Sequence, residues 1–189
     1  MRRLIRGFLL TAAVGLIWTP VPARADGFVS PFIGTNFGNN SGDGRVNIGA
    51  NAGYMGGGVI GVELDFGYAP SFFGNSGTFG SNSVLDLMGN IIVGVPAGGT
   101  HGAGVRPYVT VGAGIIRSRI DAGVGTVVQV SDTETGLNAG AGVMGFTSQH
   151  VGFRGDVRYF RTLNGDSAVN HIDFGSFHFW RASFGIVLR

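Results

Sequence analysis

From Gly27 onward, apolar and small or charged positions alternate with a period of two, and the three-and-four spacing of an amphipathic helix is absent. The clearest stretch is Val59 to Tyr68, where Ile60, Val62, Leu64, Phe66 and Tyr68 share one face and Gly61, Glu63, Asp65 and Gly67 share the other. That pattern predicts a strand with two unlike faces. It recurs in Val46 to Tyr54, Leu85 to Val95, Val105 to Ile115, Leu137 to Met144, Val151 to Tyr159 and Trp180 to Leu188. An eighth strand is expected at Phe28 to Phe37, with Val29, Pro31, Ile33 and Phe37 on the apolar face. There Phe32 interrupts the alternation, and Pro31 has no N–H to give to a ladder.

The connections alternate in length. Long ones, rich in Gly, Asn, Ser, Asp and Thr, are expected near 38–45, 69–83, 117–134 and 162–176; short ones fall near 56–58, 96–104 and 148–149. This predicts an all-β fold, an eight-stranded antiparallel transmembrane β-barrel with four long extracellular loops and three short periplasmic turns.

Eight alternating strands also build soluble barrels with the faces reversed, and the distribution of charge decides between the two. The non-apolar face carries mostly glycine, asparagine and isolated charges, too few for the outside of a soluble protein. Turned inward, it lines a narrow polar interior in which Glu63, Asp65, Asp86 and Asp156 balance Arg106, Arg154, Arg158 and Arg181. These eight are expected to form a salt-bridge network filling the lumen, because an unpaired buried charge is costly. Aromatic residues fall at strand ends: Phe66, Tyr68, Tyr159 and Trp180 toward the loops, Tyr54 and Phe153 toward the turns. They are the expected girdles at two membrane interfaces.

Composition narrows the class. The chain has 189 residues, 36 of them glycine, with 13% charged residues and no cysteine, and it contains no run of 18 apolar residues. A helical membrane protein, a disulfide framework and a thiolate metal site are therefore excluded. Four of the 13 basic residues (Arg2, Arg3, Arg6 and Arg24) lie within the first 25 positions; removing them leaves nine arginines against 11 acids, so no basic surface for nucleic acid is expected. Those first 25 residues have a basic start, an apolar stretch from Phe8 to Trp18, and Ala23-Arg24-Ala25 before Asp26. They predict a cleaved signal peptide at 1–25, followed by a barrel domain at 26–189.

Taken with the eight strands, the loop pattern and a last strand bearing Trp180, Phe184, Ile186 and Leu188, the chain resembles the small outer-membrane barrels of the OmpA transmembrane, OmpX and opacity-protein type. The resemblance implies export through the periplasm to the outer membrane of a Gram-negative bacterium. The implied partners are outer-membrane lipid and lipopolysaccharide, the barrel-assembly machinery and a possible surface ligand. Such barrels commonly end on an aromatic residue, whereas this chain ends on Arg189.

Catalytic chemistry is not expected. Gly140, Gly142 and Gly145 match a G-x-G-x-x-G spacing, but the match lies inside a strand pattern with no helix after it. His101, His150, His171 and His178 lack metal-ligand spacing, and no cofactor is implied. The leading expectation is a non-enzymatic barrel with a structural or adhesion-like role. The alternatives are a narrow channel gated by the Arg/carboxylate network, and a lipid A-modifying enzyme using Asp166, Ser167 and His171.

Overall fold

The computed structural model describes residues 25–38, 44–73, 82–98, 102–122, 128–163 and 177–189. Eight strands follow in chain order: β1 (Ala25–Phe37), β2 (Arg45–Gly56), β3 (Ile60–Pro70), β4 (Asn82–Gly94), β5 (Gly104–Ala122), β6 (Val128–Phe146), β7 (Val151–Thr162) and β8 (His178–Leu188). Each pairs antiparallel with its neighbours in sequence, and β1 pairs with β8, so the sheet closes into a barrel without a free edge. Closure satisfies the backbone groups that an open edge would expose.

The alternation seen in the sequence fixes which way each side chain points. Along β3, Val62 is 61% exposed, Glu63 3%, Leu64 53% and Asp65 0%. In β1, Val29, Pro31, Ile33 and Phe37 face outward, while Phe32 is buried inside with Phe28 and Ser30. Phe32 thus keeps the period of two; its ring is a luminal side chain on a strand whose other inward positions are mostly small or polar.

The turns are built by backbone chemistry as much as by side chains. Between β2 and β3, Gly57 and Gly58 both have positive φ (56° and 69°), and Val59 N–H donates to the Gly56 carbonyl at 3.1 Å. Two successive left-handed residues match the twist of a tight hairpin, and glycine adopts them without a Cβ clash. Between β6 and β7, the Ser148 hydroxyl accepts from the Val151 N–H at 3.1 Å.

Two expectations require correction. The stretch 117–134 is largely strand: β5 runs to Ala122 and β6 starts at Val128, with register from Arg117↔Thr133 to Ala122↔Val128. Polar residues on both faces remove the one-sided signature while leaving the hydrogen-bonded ladder intact. The interior is also not polar throughout. A cluster of Ala69, Phe72, Val84, Met88, Ile116, Phe160, Phe177 and Phe179 fills the loop end, and Phe28, Met55, Ile92, Tyr108, Met144, Phe146 and Val187 fill the turn end.

Candidate functional site in the barrel lumen

Between those two apolar layers lies a sheet of charge. Inward positions on β3, β4, β7 and β8 bring Glu63, Asp65, Asp86, Arg154, Asp156, Arg158 and Arg181 to one level. Arg158 is the hub: its Nη2 lies 2.8 Å from Glu63 Oε1 and 2.7 Å from Asp156 Oδ2, and its Nη1 is 3.0 Å from Asp65 Oδ2. The Nη1 contact is ionic by proximity and lacks hydrogen-bond alignment. On one side Arg154 reaches Glu63 Oε2 at 2.5 Å and Asp156 Oδ2 at 3.1 Å. On the other, Arg181 bridges Asp65 Oδ2 at 2.6 Å and Asp86 Oδ1 at 2.9 Å. Opposite walls of the barrel are thereby cross-linked through charge-assisted bonds, the strong class of hydrogen bond.

Neutral donors complete the layer. Tyr108 donates its hydroxyl proton to Asp156 Oδ2 at 2.8 Å and accepts from Arg154 Nε at 2.6 Å. Ser183 Oγ donates to Asp156 Oδ1 at 3.0 Å, Asn90 Nδ2 to Glu63 Oε1 at 3.1 Å, and Asn51 Nδ2 to Asp65 Oδ2. Arg106 lies nearer the turns, with Nη1 3.8 Å from Met55 Sδ and its guanidinium 5.3 Å from the Phe146 ring centre. Aromatic faces cover the planar cations as well. Arg181 lies 4.8 Å from the Phe32 ring centre and 4.7 Å from that of Phe160, and Arg154 lies 4.7 Å from Tyr108. Guanidinium over an aromatic ring is attractive and satisfies a face that hydrogen bonds cannot.

Glycine supplies the space. A Cβ at Gly140 would sit 2.7 Å from Arg158 Cγ, and one at Gly49 would meet the Phe32 ring at 2.5 Å. Gly140 and Gly142 therefore belong to the lumen packing, which agrees with reading the G-x-G-x-x-G spacing as strand rather than phosphate loop. The partners that charge counting overlooks are Tyr108, Asn51, Asn90, Ser183 and Phe32. The period-two rule puts the two asparagines and Tyr108 on the inner face; what they bond to depends on register across strands.

The aromatic residues expected at the rims fall at two levels. Phe66 and Tyr68 lie toward the loop end of β3, and Tyr159 and Trp180, paired in register on β7 and β8, place their rings 5.1 Å apart at that same end. Tyr54 and Phe153 lie toward the turns, where Phe153 stacks on Phe184 at 6.0 Å. Ala25, the last residue of the expected leader, is the first residue of β1 and pairs with Gly56; Ala23 lies outside the described residues. Asp166, Ser167, His101 and His171 also lie outside them. Among the described residues no group of three or more His, Cys, Asp or Glu side chains is arranged to hold a metal ion.

Comparison with known proteins bears on the whole chain. No curated protein matches it. Among solved structures, the N-terminal β-barrel domain of Pseudomonas aeruginosa OprF is 18% identical, covers 87% of this chain and 96% of its own, and has a TM-score of 0.53. Neisserial surface protein A is 16% identical over 87% of this chain and 97% of its own, with a TM-score of 0.61. Ail, the attachment invasion locus protein of Yersinia pestis, in its complex with the heparin analogue sucrose octasulfate, is 15% identical over 87% and 98%, with a TM-score of 0.51. At these identities the likeness shows the fold. The outer membrane protein β-barrel domain family matches residues 9–185, nearly the full length, and the chain belongs to that family.

Proposed function

We propose that this non-enzymatic outer-membrane protein spans the bilayer with its eight strands, keeps its β2–β3, β4–β5 and β6–β7 connections in the periplasm and the other four connections outside, and serves envelope structure or surface attachment. In this reading residues 1–25 are removed on export, the luminal charges hold the barrel closed, and Tyr54, Phe66, Tyr68, Phe153, Tyr159 and Trp180 mark the two interfaces. The outward band of Ile33, Val62, Leu64, Val109, Val111 and Phe184, each more than half exposed, supports a hydrocarbon surrounding, since water would make such a surface aggregate.

The observation that carries the functional choice is the filled lumen. Arg158 and Arg181 are fully buried at its middle, and Phe72, Phe160 and Phe179 on one side and Met55 and Met144 on the other are equally inaccessible. A barrel plugged in three layers has its useful surface outside, at the rim and on the loops. One of the similar barrels is named a surface protein, and another is the attachment invasion locus protein, solved with a heparin analogue. Attachment is the corresponding reading for this chain.

The test has two arms. Folded protein in planar bilayers is expected to give no discrete conductance, either as wild type or with Arg154 or Glu63 replaced; steady channels in the wild type would overturn the plugged-lumen role. Deleting 74–81 or 164–173 is expected to leave heat-modifiable gel mobility intact while abolishing binding of expressing cells to host-cell or polysaccharide surfaces. Undiminished binding in both deletions rejects attachment through those loops and leaves the structural role.

A further inference from the structure

We propose that the outward face of the β5–β6 hairpin binds the phosphate groups of a lipid headgroup, that of lipopolysaccharide in the leaflet at the loop end. The inference rests on the membrane orientation proposed above. On β5 the outward row reads Val105, Pro107, Val109, Val111, Ala113 and Ile115, then turns to Arg117 and Arg119. A tilted strand needs about 9–11 residues to cross the hydrocarbon. Val105 to Ile115 uses that length, so Arg117 is the first side chain of the row at headgroup level.

Register surrounds both guanidiniums with hydroxyls. Arg119 pairs with Ser83 on β4 and Ser131 on β6; Arg117 pairs with Leu85 and with Thr133. All share the outward face, and cross-strand neighbours stand about 4.5–5.5 Å apart at Cβ. A phosphate resting there meets two forked cations and three hydroxyl donors, the donor set suited to a multivalent oxyanion.

Among the residues whose side chains are described, the hairpin also separates its charges by face. Asp132 and Glu134 occupy the opposite parity, with Ser118 and Ile116 as register partners. Asp121 follows Arg119 two residues later along β5. Each arginine of the central luminal layer is closed by carboxylates, yet among the described residues Arg117 and Arg119 are exposed and make no ion pair or hydrogen bond. Two exposed cations directly above an apolar band form a surface complementary to an anionic headgroup.

The full chain, folded in detergent, is titrated with purified lipopolysaccharide, with the same lipid after enzymatic dephosphorylation, and with phosphatidylglycerol. Wild type is expected to prefer the phosphorylated lipopolysaccharide to both others by tenfold or more. Each of R117Q and R119Q is expected to weaken that binding about fivefold, and R117Q/R119Q about 25-fold. Equal affinity for the dephosphorylated lipid, equal affinity for phosphatidylglycerol, or indifference to the double substitution overturns the proposal. If the double variant does not fold, the single variants and the salt dependence of wild-type binding between about 50 and 500 mM decide the matter instead, binding that ignores salt counting against the proposal. Heat-modifiable mobility is followed in every sample. A wild-type chain that lacks it in detergent fails as a membrane barrel, whereas one that shows it and ignores phosphate loses only this surface.

Discussion

The two faces of the same strands follow different rules. On the inner face of β3, Glu63 and Asp65 contact Arg154, Arg158 and Arg181 from the far wall, each through a specified atom. On the outer face Val62, Leu64 and Phe66 present bulk and little else. The inner face specifies one closed arrangement of the strands, because a one-residue slip of β3, β4, β7 or β8 would swing a charge to the outside. The outer face specifies only a solvent, so it tolerates exchange within a class and resists a change of class.

The inner face is most vulnerable at its hub. Arg158→Ala removes the cation shared by Glu63, Asp65 and Asp156 and leaves three carboxylates crowded in a space closed to water. Breaking a buried ionic cluster from one side costs about 3–5 kcal/mol. Urea unfolding in phospholipid vesicles is expected to show a loss of that order, and a midpoint within error of wild type would mean that the layer is not what closes the barrel. In the membrane orientation proposed above, the corresponding insult on the outer face is a charge in the hydrocarbon. Val111 lies near the middle of the outward row of β5, between Ile91 and Ala139 in register. Val111→Arg is expected to cost about 2–4 kcal/mol in the same assay, while Val111→Leu stays near zero. Equal tolerance of Arg and Leu would show that lipid does not touch this face.

Much of this division is legible in the sequence, and the illegible part has a common cause. Period two assigns every residue of β3 to a side, and it puts Arg158, Asp156 and Asp65 on the inward face without any knowledge of pairing. It says nothing about level along the barrel, which depends on stagger between strands remote in sequence: Arg181 meets Asp65 across 116 positions. Hence the apolar end layers are invisible to it. Phe160, Phe177 and Phe179 read locally as strand-end aromatics, and only closure brings them onto Phe72 from the β3–β4 connection, with ring centres 5.1 Å apart for Phe72 and Phe179. The β5–β6 extension escapes for the opposite reason. Arg117, Arg119, Ser131 and Thr133 make one face polar and Ser118, Asp132 and Glu134 lie on the other, so the periodic signal fades while the ladder continues to Ala122↔Val128.

Inside the ionic layer a finer contrast separates the groups that carry charge from the one that only orients it. Tyr108 is neutral, buried, and bonded on both sides, to Asp156 and from Arg154. Tyr108→Phe keeps the ring over the Arg154 guanidinium and deletes the hydroxyl, leaving Arg154 Nε without that acceptor. An unsatisfied buried donor costs about 1–3 kcal/mol, so the loss should be smaller than for Arg158→Ala. A double-mutant cycle with Ser183→Ala, whose hydroxyl serves the other oxygen of Asp156, is expected to give coupling rather than simple addition, because both hold the same carboxylate.

The smallest expected effect lies where the two faces meet water. Arg189 folds back under the turn end, its Nε donating to the Gln149 carbonyl at 2.9 Å and its Nη2 to the Gly102 carbonyl at 3.0 Å, with the guanidinium 3.8 Å from the Phe146 ring centre. It ties the β4–β5 and β6–β7 connections to the end of β8 much as Arg158 ties the walls. Its carbonyl partners carry no net charge, however, and the side chain is only partly buried. Arg189→Ala is therefore expected to cost about 1 kcal/mol, the sum of modest hydrogen bonds and a partly solvated cation–π contact. Arg189→Phe separates those contributions by keeping a side chain able to pack on Phe146 while losing both donors. If Arg189→Phe matches wild type in the urea assay, ring packing accounts for the latch; if it falls with Arg189→Ala, the carbonyl bonds do.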